Sequence, residues 1–400
     1  MRHIIQESFV QKVTKSFLKL DALLLVAVLL LQGCKLDTAP DAFSFATQTN
    51  VAPDTPIESE PVTITGINFP AKLSITGGEY SIDGSAYGGS PGNVKNNQTV
   101  LIRIRSSAES SGNASATVTI GGVSGTFTAK TATAFKSVST LAATGLANTT
   151  DGLAVGANGD IYVSGGPGGQ NILRITPEGA TSVFAAGFNT NGSYFDSHGN
   201  LFVANYEESS VRKITPDGVV TTFASSLDGP AGIWVDPNDN VFVSLFGANF
   251  SGVGATVLKI TPDGVVATYA TGGGLQDVIG IVGDENGRVY ASNWAAGSLF
   301  DITDGDVNLL AATVGRTNMI CYSNGYIYMP GPADALIRRV SLEGAVETFI
   351  GTTTRQTIDG PLAIADFERP NSCAFNPDGT IMYVMDRDTG LLRKVDSGTP

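Results

Sequence analysis

Histidine is nearly missing from this 400-residue chain, which has two, His3 and His198. That excludes a zinc site built from several histidines, and it leaves any Ser/His/Asp or Cys/His hydrolase to be assembled around His198 once a leader carrying His3 is gone. Cationic side chains are also few, 24 Lys and Arg against 37 Asp and Glu, for a formal charge of −13. Nucleic acid is a poor partner for such a surface, because a phosphate backbone is held by clustered Lys and Arg. Charged residues make up only 15% while glycine numbers 48, a balance that speaks against bundles of long amphipathic helices and for turn-rich β structure. Long apolar runs are wanting too, since Ala22 to Leu31 has ten residues, too few to span a bilayer as a helix. What is present suffices for folding: 42% hydrophobic and 8% aromatic residues can build a core, and the length exceeds that of one ordinary domain.

Arg2, Lys12, Lys15 and Lys19 precede the apolar run, in the order of a secretory signal peptide. The run ends at Leu31-Gln32-Gly33-Cys34, a spacing that resembles the bacterial lipobox, with Gln32 a less usual third residue. The resemblance implies removal of residues 1–33 and lipidation of Cys34, which makes the membrane a partner through acyl chains. Each buried CH₂ contributes about 0.8 kcal/mol, so two or more chains hold durably. The alternative is an ordinary secretory signal with a chance cysteine. Lys35 follows the cysteine where no Asp stands, which resembles the default for outer-membrane sorting in Gram-negative lipoproteins, so the expected location is the cell envelope at the outer membrane. Loss of the leader leaves 20 basic and 35 acidic residues, or −15.

Residues 34–42 read as a tether. From 43 to 131 short alternating runs such as Lys72LeuSerIleThr, Thr99ValLeuIleArgIleArg and Gly125ThrPheThrAla are separated by Gly, Asn and Ser clusters. A period of two marks half-buried strands, and the size suits a small β-sandwich. Gly78 to Val123 resembles the Ig-like modules that precede other domains in bacterial surface proteins, which implies a spacer.

From 134 to 400 the chain repeats. Thr176ProGluGly, Thr215ProAspGly, Thr261ProAspGly, Thr303AspGly and Ser341LeuGluGly recur at intervals of 39, 46, 42 and 38 residues. A period near 40 with four short strands per unit predicts a β-propeller. Units start near Asp151, Asn191, Asp228, Asp277, Asn318 and Asn371, six in all. The last has no fourth strand of its own, and Lys136SerValSerThrLeu is left over ahead of the first. The expected fold is therefore all-β, a small Ig-like sandwich followed by a six-bladed propeller closed by an N-terminal strand. The segment from Asp359GlyPro through Ala365AspPheGluArgProAsnSer to Leu391LeuArgLysVal resembles an NHL-repeat blade and is similar to the gluconolactonase/regucalcin group, also six-bladed. That resemblance covers about residues 134–400.

In a propeller the second-to-third loops and the blade-to-blade loops share one face, and here those loops vary while the opposite turns stay short. Two sets of side chains are expected on the variable face. Asp151, Asp228, Asp277, Asn318 and Asn371 start blades around the channel mouth, and such oxygens suit Ca²⁺ or Mg²⁺. Asn371 resembles the Asn of the lactonase Pro-Asn-Gly motif, although Ser372 replaces its Gly and no Glu stands near Asp151. The same residues also suit capping of strand starts through their own backbone. Tyr206, Phe246 and Trp294 share one slot after the second strands of blades two, three and four, where they either line a ligand recess or pack beneath their loops. His198 falls in a tight turn of the opposite face, in the slot of Asn158, Asn238 and Asn286. Cys321 and Cys373 fall in first strands of adjacent blades at offset slots, which favours buried thiols over a pair. These features point to a lipid-anchored envelope protein that binds protein or carbohydrate ligands on its loop-rich face, more readily than to an enzyme. The alternative is a divalent-metal-dependent hydrolase of the lactonase type.

Overall fold

A computed structural model describes residues 36–132, 134–147, 151–165, 170–247, 251–312 and 314–396. The leader and Cys34 lie outside the described residues. Every regular element among them is a strand, except for one 3-10 turn at Thr303–Gly305. The chain divides into two compact units, one holding 36–46, Pro56–Arg105 and Ala114–Thr128, the other Thr47–Thr55, Ser106–Asn113 and the chain from Ala129 onward.

In the first unit Ala71–Thr76 lies between Gly92–Val94 and Asn113–Ile120, and Thr99–Arg105 pairs with Pro56–Glu58, Val62–Thr63 and Glu79–Ile82. The period-two pattern explains their burial. Ala71 and Leu73 are buried between exposed Lys72 and Ser74, and Val100, Ile102 and Ile104 are buried on alternate positions.

The second unit carries six sheets arranged as blades. Blade one is Gly152–Val155, Ile161–Ser164, Asn171–Ile175 and Thr181–Ala186, paired in that order, and blades two to five repeat it. Second strands such as Leu201–Asn205, Val241–Leu245 and Met382–Asp386 are buried along their whole length. Neighbouring blades cover both of their faces, so the sequence there runs apolar without alternation. Outermost strands such as Val266–Thr271 are mostly exposed. The recurring Thr-Pro-Asp/Glu-Gly is the turn from third to fourth strand. Gly179, Gly218 and Gly264 hold φ of 91°, 83° and 88°, a region that side chains other than glycine's rarely adopt.

Glycine recurs for a second reason in the innermost strands. At Gly152 and Gly232 a Cβ would collide with the carbonyl oxygens of Asn191 and Ile279 in the next blade, so only a bare backbone lets the inner strands meet around the channel.

Blade six closes the ring. Ser137–Ala143 pairs antiparallel with Leu391–Asp396, Val138 opposite Val395 and Ala143 opposite Leu391, and supplies the missing fourth strand. A fifth strand, Gly360–Pro361, pairs with its outer edge and was not expected from the repeat. Asp359 fastens this arrangement: its Oδ2 accepts from Thr140 N at 2.9 Å, and its Oδ1 lies 2.5 Å from Nη2 of the buried Arg393. Arg393 also donates to the carbonyls of Ile358 (2.9 Å) and Asp366 (3.2 Å) and lies over the Phe367 ring. The Asp-Gly…Ala-x-Phe residues that carry the NHL resemblance thus hold the closing strand in this chain, with Ala365 and Phe367 fully buried.

The expectation of free thiols is corrected. Cys321 and Cys373 are joined in a disulfide with Cα atoms 5.6 Å apart. Inner strands of blades five and six run side by side, with Met319 N donating to Asn371 O at 3.2 Å, and this proximity overrides the one-residue offset of their slots.

Candidate ligand-binding recess

Second-to-third loops and blade starts meet on one face and enclose a recess of about 420 Å³. One wall is aromatic. Tyr206, Phe246 and Trp294 each follow directly after the second strand of their blade, and that common register brings all three to the recess. Tyr206 and Phe246 are buried with Ala231, Ile279 and Met319, and half-buried Trp294 packs against them. Phe246 and Trp294 meet edge to face with centroids 5.8 Å apart, a favoured arrangement of ring quadrupoles. The Tyr206 hydroxyl donates to Gly247 O, tying the blade-two loop to the blade-three loop. Arg316 lies over the Trp294 ring, its guanidinium carbon 4.2 Å from the centroid. These rings therefore line the recess and pack beneath loops at once.

The other wall is polar and comes from Asp151, Asn191, Asp277, Asn318 and Arg387. Asn371 Nδ2 donates to Asp151 Oδ1 at 2.8 Å, Asn318 Nδ2 to Asn371 Oδ1 at 2.9 Å and to Asp151 Oδ1 at 3.3 Å. Arg387 Nη1 stands 3.5 Å from the same Asp151 oxygen. Asp277 is buried and apart from this group. Its Oδ2 accepts from Ala295 N at 3.0 Å, while its Oδ1 is buried with no hydrogen-bond partner, as is Asn318 Oδ1. Burial pushes the Asp277 carboxyl above the usual carboxylate range, and the N–H groups of Ala295 and Trp294 offset part of that rise.

Of the five oxygen-bearing residues expected at the channel mouth, Asp151, Asn318 and Asn371 form one hydrogen-bonded cluster, and Asp277 stands on the recess wall. Asp228 is exposed and does not line it. The cluster does not fit a divalent ion as arranged. Asp151 Oδ1 is surrounded by two amide donors and an arginine, so a metal would displace a positive charge already in place, and Ca²⁺ wants six to eight oxygens.

Arg387 was missed by the sequence reading, although a signal was present. It occupies in blade six the slot that Tyr206, Phe246 and Trp294 occupy in theirs, one residue past Met382–Asp386. Counting the register through to the last blade finds it. His198 lies on the opposite face, 73% exposed, with Nδ1 3.1 Å from Asp239 Oδ2. Asp196, His198 and Asp239 come close together there. Their carboxylates are engaged in the turns, Asp196 by the amides of His198 and Asn200, and Asp239 by the amide and hydroxyl of Ser197.

No protein-family model and no curated protein matches the chain. Solved structures do. A protein of unknown function from Bacteroides thetaiotaomicron is similar with a TM-score of 0.56 at 13% identity, over 90% of this chain and 99% of that one. An auxiliary nutrient binding protein from the same organism gives 0.54 at 12% identity, over 89% and 97%. A gluconolactonase of Xanthomonas campestris gives 0.52 at 14% identity, over 65% and 89%. At such identities the likeness establishes the all-β propeller fold, on which unrelated activities are built.

Proposed function

We propose that this protein is a ligand-binding protein of the cell envelope, anchored through lipid on Cys34 and spaced by its Ig-like first unit, and that the loop-face recess takes a small ring-bearing ligand such as a sugar. The observation that carries the reading is the meeting of three aromatic side chains from three blades in one recess with polar groups across from them. About 420 Å³ is the size of a small-molecule site, and apolar walls with a few placed polar groups are what such sites use. Flat rings offer 150 to 250 Å² each at small conformational cost. A nutrient binding protein and a gluconolactonase both share the fold, so the fold agrees with binding and with hydrolysis alike. The pairing of Asp151 with Arg387 favours binding, because it fills the place a catalytic ion would need.

The test is a glycan array followed by titration with whatever sugar is retained. Alanine at Tyr206, Phe246 and Trp294 together should abolish binding. Trp294→Ala alone, at a half-buried position, should weaken it at least about tenfold without loss of fold. Unchanged affinity in both removes the assignment, and millimolar Ca²⁺ or Mg²⁺ should leave the melting temperature where it was.

Export is supported by the Cys321–Cys373 disulfide, since such bonds persist in oxidising compartments. Among the described residues no helix is long and apolar enough to cross a membrane; the attachment proposed is the lipid on Cys34. Cys34→Ser should move the protein from the membrane fraction to the soluble fraction on fractionation, and retention at the membrane would remove the anchor.

A further inference from the structure

The charge on the recess wall is unbalanced. It carries two carboxyl groups and one guanidinium, of which Asp151 and Arg387 face each other at 3.5 Å. Asp277 faces no cation among the described residues, and one of its oxygens is buried without a partner. Taking a carboxylate out of water without a counter-charge costs several kcal/mol, and the backbone N–H groups of Ala295 and Trp294 recover only part of it. Asn318 Oδ1 stands unpartnered on the same wall. Both unmet groups are acceptors, so the wall calls for an occupant that donates.

The rest of the recess narrows the choice. Tyr206, Phe246 and Trp294 present π systems, which attract cations held over their faces. Arg316 already makes that contact with Trp294 at 4.2 Å. A neutral sugar would meet the hydrogen-bond demand but leave the charge of Asp277 unanswered. A bare divalent ion would find too few oxygens beside aromatic rings that ligate nothing. An amine carried on a ring meets the charge, the donors and the apolar wall together.

We infer that the recess recognises an organic ammonium, a protonated amine borne on a small ring, with Asp277 as its counter-charge and Tyr206, Phe246 and Trp294 around it. This rests on the reading of the recess as a ligand site, and the experiment separates the two. The purified protein is titrated calorimetrically with phenethylamine, charged at neutral pH, and with 2-phenylethanol, its neutral twin of nearly the same size. The amine should bind about tenfold more tightly or better, a difference typical of a desolvated cation over aromatic rings. D277N should bring the amine down to the level of the alcohol, with a circular dichroism spectrum matching the unaltered protein's to show that the variant is folded. Equal affinities in the unaltered protein, or a preference that survives D277N, overturn the ammonium and leave the recess standing as a ligand site. Binding of neither probe overturns the ammonium, and the recess as a ligand site is then judged by the glycan titration.

Discussion

Asp277 combines two costs in one residue. Its φ of 39° lies in a region that non-glycine residues adopt at about 1–3 kcal/mol, and its carboxylate is buried without a counter-ion among the described residues. Other buried polar residues are settled differently. Asn293 Oδ1 accepts from Gln276 N while its Nδ2 donates to Gly274 O, and Asp386 takes the amides of Glu368 and Arg369, so these side chains hold loops. Burial raises the Asp277 pKa in the fold above its ordinary value, so the folded chain binds that proton more tightly than the unfolded chain does. The sign follows: the destabilising contribution is complete above the raised pKa and is relieved as pH falls through it toward the ordinary carboxylate value. Urea unfolding of the native protein and D277N from about pH 7 to about pH 4 should show the native protein gaining stability relative to the variant. A flat difference across that range would reject the buried charge. The sequence showed that Asp277 starts a blade but not that it lacks a partner, because partners come from loops whose course no repeat dictates. Asp228, identical by slot, is exposed for the same reason.

At the level of elements, one carboxylate ties together two strands of blade six from opposite ends of the propeller segment. Asp359 joins the closing strand at Thr140 to the buried guanidinium of Arg393, and both neighbours lie far from it in sequence. Asp359→Ala should cost about 1–3 kcal/mol, the range for a lost charge-assisted bond to a buried group that keeps its other partners. Denaturant unfolding would measure the loss, and amide exchange at Thr140 should rise with it. A change within experimental error would mean that Gly360–Pro361 holds the edge unaided. Much of this level was legible. Strand order, blade number and the closing role of Ser137–Ala143 follow from the period near 40 and from a last unit one strand short. Gly360–Pro361 was not legible, since two residues without alternation give no strand signal, and what makes them a strand is an edge completed by the opposite end of the chain.

For the molecule as a whole, the disulfide joins two blades that share no sheet, across a separation of 52 residues. Closing a loop of that length in the unfolded chain is worth about 2–4 kcal/mol. Reduction, or Cys373→Ala, should therefore lower the unfolding midpoint, and mass spectrometry before and after reduction should show no free thiol at Cys321 in the native protein. An unchanged midpoint would leave the bond without a stabilising role. Sequence spacing pointed away from this pair because pairing in a ring is decided by which inner strands lie side by side.

The route of the chain into blade six also bears on mechanics. Whatever pulls on the protein from ahead of Ser137 draws along the length of a strand that is hydrogen-bonded to Leu391–Asp396 on one side and to Gly360–Pro361 on the other. Such a pull loads the ladder in shear, so its bonds resist together instead of parting one after another, and the seam of the ring is its strongest point against that force.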